Sequence, residues 1–135
     1  MALVLFIFAC NEEEKKEAPV SENYVDAARN FIRASLDRKW DEARKFMLLD
    51  SANVERMDII EDSYRDENRE ERRGYREASI TTYDSRMVND SISIVQYSNS
   101  YKNKRDSLKV VRVNGQWLVD LKYSILPIDS TRHVQ

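Results

Sequence analysis

An α+β fold is expected for this chain, with helices first and an antiparallel sheet after them. Three features predict it. Apolar residues recur at helical spacing from Ser21 to about Arg73, the period falls to two beyond Gly74, and Asn114-Gly115 sits between two strand-like runs. Helices gathered ahead of a run of strands have no crossover role in a parallel sheet, so they should cover one face of an antiparallel one.

The first helix carries Tyr24, Ala27, Ala28, Phe31, Ile32 and Ser35 at three- and four-residue steps, which turns one apolar stripe inward. Ser21 is its expected N-cap, with Glu22 near the positive end of the helix dipole. After Leu36-Asp37-Arg38-Lys39, a short second helix presents Trp40, Ala43, Phe46 and Met47. A third is expected from Ser51, with Val54, Met57, Ile60 and Tyr64 inward. It should run on through the charged stretch Arg65–Arg73 and stop at Gly74, a natural C′ residue. That stretch reads as a solvated helix end, supported by pairs such as Glu61–Arg65 and Asp66–Arg69.

Four strands are expected: Glu77–Asp84, Ser91–Ser100, Ser107–Val113 and Gln116–Tyr123, with turns at Asn89-Asp90, Lys102-Asn103 and Asn114-Gly115. A type I′ turn needs positive φ at both central residues, and Asn-Gly supplies it. That turn sets Val113 opposite Gln116, so Arg112 faces Trp117, Val110 faces Val119 and Leu108 faces Leu121. The face with Leu108, Val110, Trp117, Val119 and Leu121 should meet the helices. Lys109 and Asp120 pair on the opposite, wetter face.

The 135 residues suffice for one domain with appendages. A net charge of −2 with both signs mixed argues against nucleic acid as a partner. There is one cysteine, hence no intramolecular disulfide.

Residues 2–9 are uninterruptedly apolar and end at Ala9-Cys10. The run is too short to span a bilayer core of ~30 Å but suits the apolar part of a signal peptide. A buried strand with Cys10 as a small core hydrophobe is the competing reading. Against it stands the tract Asn11–Glu17, too charged to bury, followed by Pro19. Ala9-Cys10 resembles the lipobox of bacterial lipoproteins. The resemblance implies a leader at 1–9, cut before Cys10, whose thiol takes diacylglycerol and whose new amino terminus takes an acyl chain such as palmitate. Phe8 is bulkier than that motif prefers, and no basic residue precedes the run, so the natural start is expected upstream. Residues 10–20 would be an acidic tether, reaching at most ~35 Å from Asn11 to Val20 when extended. Acidic residues just after the cysteine resemble the export tether of surface lipoproteins in some Gram-negative bacteria. The expected location is therefore the cell envelope, extracytoplasmic and lipid-anchored, at the outer membrane. The folded domain is placed at 21–126 and a C-terminal tail at 127–135.

The order of elements, the segment Asp37-Arg38-Lys39-Trp40-Asp41-Glu42-Ala43 and the ending Leu108–Asp120 resemble the nuclear-transport-factor-2-like superfamily, and within it small lipoproteins of unknown function. The resemblance covers residues 22 to about 124. It implies a strongly bent four-stranded sheet wrapped around the first helix as a cone, with a pocket at the mouth. Tyr24, Tyr64 and Tyr97 are the candidate pocket-lining residues.

Enzymes of that superfamily use an Asp or His base beside tyrosines. Here the lone histidine is His133, in the tail, and the Asp residues lie in polar runs or turns. No residue is therefore assigned a catalytic role. With no histidine in the domain and no spare cysteine, a zinc site is not expected. No Asp-x-Asp-x-Asp-Gly spacing marks a calcium loop and no glycine-rich loop would cradle a phosphate, so no other metal or cofactor is expected either. Two readings follow. The first is a non-catalytic domain that binds a small ligand or a protein partner. The second is a small-molecule isomerase using an Asp/Tyr pair in the pocket.

Overall fold

A computed structural model describes residues 23–122. The leader, Cys10, the tether, Ser21, Tyr123 and the tail with His133 lie outside those residues. The elements are α1 (Tyr24–Leu36), α2 (Trp40–Arg44), α3 (Ser51–Ser63), α4 (Arg69–Glu77), β1 (Ile80–Thr82), β2 (Arg86–Asn89), β3 (Ile92–Asn99), β4 (Asp106–Val113) and β5 (Gln116–Asp120). The helices pack on an open antiparallel sheet, so the class is α+β.

The N-cap of α1 is Asn23 rather than Ser21, its side chain accepting the Asp26 N–H at 2.8 Å. The expected stripe of α1 is present, with Ala27, Ala28, Phe31 and Ile32 buried. The third helix departs from expectation. It breaks after Ser63, and Asn68 caps a new helix by accepting the Glu71 N–H at 2.8 Å. An Asn side chain that offers its own acceptor favours such a restart over continuation. Gly74 is consequently inside α4 and ends nothing. Its missing side chain serves packing, because a Cβ there would overlap the Tyr101 ring. Val54, expected inward, is 36% exposed. Glu61 pairs with Arg44 and Arg65 with Asp62, and Asp66 lies in the break.

The sheet has five strands, one more than expected. β1 and β2 share one edge of β3, pairing with its C-terminal and N-terminal halves, and a bulge interrupts β2 between Met87 and Asn89. β4 lies on the other side of β3, and β5 beyond it. The Asn114-Gly115 turn has φ of 50° and 79°, and the pairs Val113–Gln116, Arg112–Trp117 and Val110–Val119 follow as expected. Leu108, Val110, Trp117, Val119 and Leu121 are buried against α1 and Met57. The outer edge of β5 is also covered. The Leu48 N–H donates to the Val119 carbonyl at 2.9 Å, and the Val119 N–H to the Phe46 carbonyl at 2.8 Å.

Asp120 corrects the expectation of a wet outer face. It is 5% exposed, because the N-terminus of α3 closes over it. Fully buried Asn53 makes the seam. Its Nδ2 donates to Asp120 at 3.2 Å and to Asp50 at 3.1 Å, while its Oδ1 accepts the Leu121 N–H at 2.6 Å. Lys109 and Lys122 each lie 3.7 Å from the Asp120 carboxylate, so the expected cross-strand pair exists inside a larger buried network.

Two predictions follow from this core and seam. Trp117→Ala should cost about 3–5 kcal/mol in urea unfolding, as large-to-small core changes do. Asn53→Ala should cost about 1–3 kcal/mol by leaving the buried Leu121 N–H without its acceptor. A cost near zero for Asn53→Ala would show the seam to be incidental.

A third prediction concerns acid. Lys122 beside it, and then the Asn53 N–H, hold the Asp50 carboxyl down at about 2. A folded pKa below the unfolded one adds stability above the ordinary carboxylate range, lost as pH falls through the folded value. Wild type should therefore exceed Asp50→Asn in stability at pH 5–7, and the gap should close near pH 2. A gap independent of pH would mean that charge plays no part.

Candidate functional site

The site forms where α1 ends. The Arg38 N–H donates to the Ser35 carbonyl and the Lys39 N–H to the Ala34 carbonyl, the bond pattern of a Schellman turn. Arg38 occupies its left-handed position, φ 60°, where glycine is usual. A non-glycine residue there costs about 1–2 kcal/mol. What the conformation achieves is to turn the side chain inward.

The Arg38 guanidinium donates from Nε and Nη2 to the two oxygens of Glu67, both at 2.6 Å, and from Nη1 to the Ser35 carbonyl at 2.9 Å. Both side chains are withdrawn from water, 7% and 4% exposed. The Glu67 carboxylate was expected in a solvated run, and Arg38 is the physical reason it is not. Around the guanidinium stand Tyr64 at 4.0 Å, Tyr75 at 4.5 Å and Trp40 at 5.6 Å from its carbon. The rings also pack on one another, Trp40 stacked on Tyr64 and Tyr75 edge-on to both Tyr64 and Tyr101. Arg33 secures this end from α1 by donating to the Ala78 carbonyl at 2.7 Å and the Arg76 carbonyl at 3.0 Å.

A cavity of about 330 Å³ opens beside this cluster. Arg38 and Glu67 form its base, and Trp40 and Tyr64 its aromatic wall. Glu61, Arg65 and Arg72 complete the lining. Arg44 donates to Glu61 at 2.6 Å and to Asp58 at 2.9 Å, so Glu61 too is held by a cation.

The three tyrosines read from the sequence are not brought together in one pocket. Tyr64 lines the cavity. Tyr24 lies edge-on to Trp117, ring centres 5.4 Å apart, at the Asn114-Gly115 end of the sheet. Tyr97 is a core residue, 7% exposed and outside the lining. Burial pushes its phenol above the ordinary range, with Asp106 and Tyr64 adding to the shift. Asp106 is its cross-strand neighbour, and partial burial raises that carboxyl against the pull of Lys104. The space between α1 and the sheet is filled by Phe31, Val95, Leu108 and Val110.

The two ends of α1 thus have different surroundings. Its first residue is beside Trp117 and its last leads into the cavity, ~20 Å away for 13 residues at ~1.5 Å each. No protein family, curated protein or solved structure matches this chain. Among the described residues, no cluster of His, Cys, Asp and Glu could hold a metal ion, and no helix is long and apolar enough to cross a membrane.

Arg38 and Glu67 were missed by sequence reasoning. One signal was available: the helix-to-helix turn Leu36-Asp37-Arg38-Lys39 has no glycine for its left-handed position. A residue that accepts that strain must be recompensed by its side chain.

Glu67→Ala should cost about 3–5 kcal/mol, because it leaves a buried guanidinium without its counter-charge. The double variant Arg38→Met, Glu67→Leu should recover much of that loss. A double-mutant cycle showing additive effects would contradict the pairing.

Proposed function

We propose that this chain is a lipid-anchored, extracytoplasmic protein of a bacterial cell envelope whose α+β domain, of the nuclear-transport-factor-2-like kind, binds a ligand or a protein partner without transforming it. One observation carries the reading. The cavity lies at the far end of α1 from the point where the preceding chain enters the domain. A domain held through Cys10 and an acidic tether would carry that cavity at the end away from its attachment, open to whatever it meets.

The character of the lining agrees with binding. Both of its carboxylates are engaged by arginines, and a carboxylate so held is a poor general base. The lining sets a stacked pair of rings among five charged side chains, and the volume falls at the small end of the range of small-ligand sites.

The isomerase reading has one observation in its favour. Asp106 is a carboxyl raised by desolvation with Tyr97 opposite and Tyr64 near, the elements of an Asp/Tyr pair. Neither Asp106 nor Tyr97 lines the cavity, and that favours binding.

Expressed in a bacterium with its natural leader, the protein should partition into detergent and carry acyl mass on Cys10, and Cys10→Ala should release it or leave the leader uncut. Recovery of the wild type in the aqueous phase with residues 1–9 retained would refute the anchor. Turnover of a small enolisable ketone that is abolished by Asp106→Asn would decide for the enzyme.

A further inference from the structure

The charges around the cavity are not all paired. Glu67 gives both oxygens to Arg38, and Glu61 accepts from Arg44. Arg65 meets Asp62 in a pair open to water. Arg72 is exposed, and its side chain has no hydrogen bond or ion pair with another described residue. Three guanidinium groups therefore line the cavity against two carboxylates, and both carboxylates are engaged. An entering cation would find both oxygens of Glu67 taken and Glu61 already shared with Arg44. An entering anion would meet two exposed guanidinium groups beside Trp40 and Tyr64.

We propose that the cavity takes a small organic carboxylate carried on a flat apolar body, with Arg72 and Arg65 holding the charge and Trp40 covering the body. The planar fork of arginine matches a carboxylate in two parallel hydrogen bonds. An aromatic wall removes an apolar ring from water while leaving its charged end at the rim. The volume of about 330 Å³ admits a molecule of one ring and a few substituents. The proposal rests on the binding reading above and specifies its ligand class.

The test uses the full chain, whose two tryptophans are Trp40 in the cavity and Trp117 in the core. Benzoate, benzyl alcohol and benzylamine share one ring and differ in charge. Benzoate should change tryptophan emission saturably, more weakly as salt rises, and the response should vanish in Trp40→Phe. Arg72→Gln should weaken benzoate about threefold to fivefold, the scale of one exposed ion pair. Arg73→Gln, which loses an exposed pair with Glu77 outside the cavity, should leave it unchanged. Benzyl alcohol binding as tightly as benzoate, indifferent to Arg72→Gln, would overturn the charge assignment and leave the binding reading in place. Failure of all three probes to act on Trp40 would overturn the proposed ligand class and leave a protein partner as the binding reading.

Discussion

One interaction organises the far end of this molecule: the two-pronged contact of Arg38 with Glu67 inside a ring of aromatic side chains. Burying two charges is costly, and their attraction offsets the cost only when geometry is good and remaining polar groups are satisfied. Here both carboxylate oxygens are bonded at 2.6 Å, a third guanidinium donor reaches the Ser35 carbonyl, and Tyr64 and Tyr75 lie within 4.5 Å of the cation. Because Glu67 must reach Arg38, the chain cannot continue α3 as one rod. The break at residues 64–68, the capping of α4 by Asn68 and the inward turn at Arg38 are parts of a single arrangement.

A second tie, at the other end of α3, is neutral at its centre. Asn53 bonds at once to the start of its own helix and to the end of β5. With Arg38–Glu67 beyond its C-terminus, α3 is fixed at both ends by polar contacts. Its middle is fixed chiefly by Met57, since Val54 and Ile59 are exposed. This division explains how a helix with a weak apolar stripe holds its place.

Legibility in the sequence followed the range of the interactions. The β4–β5 register could be read to the residue, because one two-residue turn dictates it and the alternation then names the core face. α1 was legible for a similar reason, its stripe being local and regular. What resisted were pairings set by distance in space. Glu67 looks solvated among its neighbours until a residue 29 positions away claims it. Asp120 looks like a surface partner of Lys109 until Asn53, 67 positions away, covers it. Gly74 looked like a helix stop because glycine usually answers a backbone need, and here it answers a ring 27 positions on. The same holds for the site: Tyr64 could be read from helical spacing, whereas Arg38 and Arg72 carry no periodic signature.

The treatment of the sheet's borders has its own consequence. An exposed strand edge is a template on which another chain can add. Neither border of this sheet offers a long straight template. The Phe46–Leu48 segment already occupies the hydrogen-bonding groups of Val119 on one side. On the other, the border is divided between β1 and β2, with residues 83–85 between them, a bulge after Met87 and the cation of Arg86. Copies that meet could therefore lie side by side without joining their sheets into one continuous ribbon.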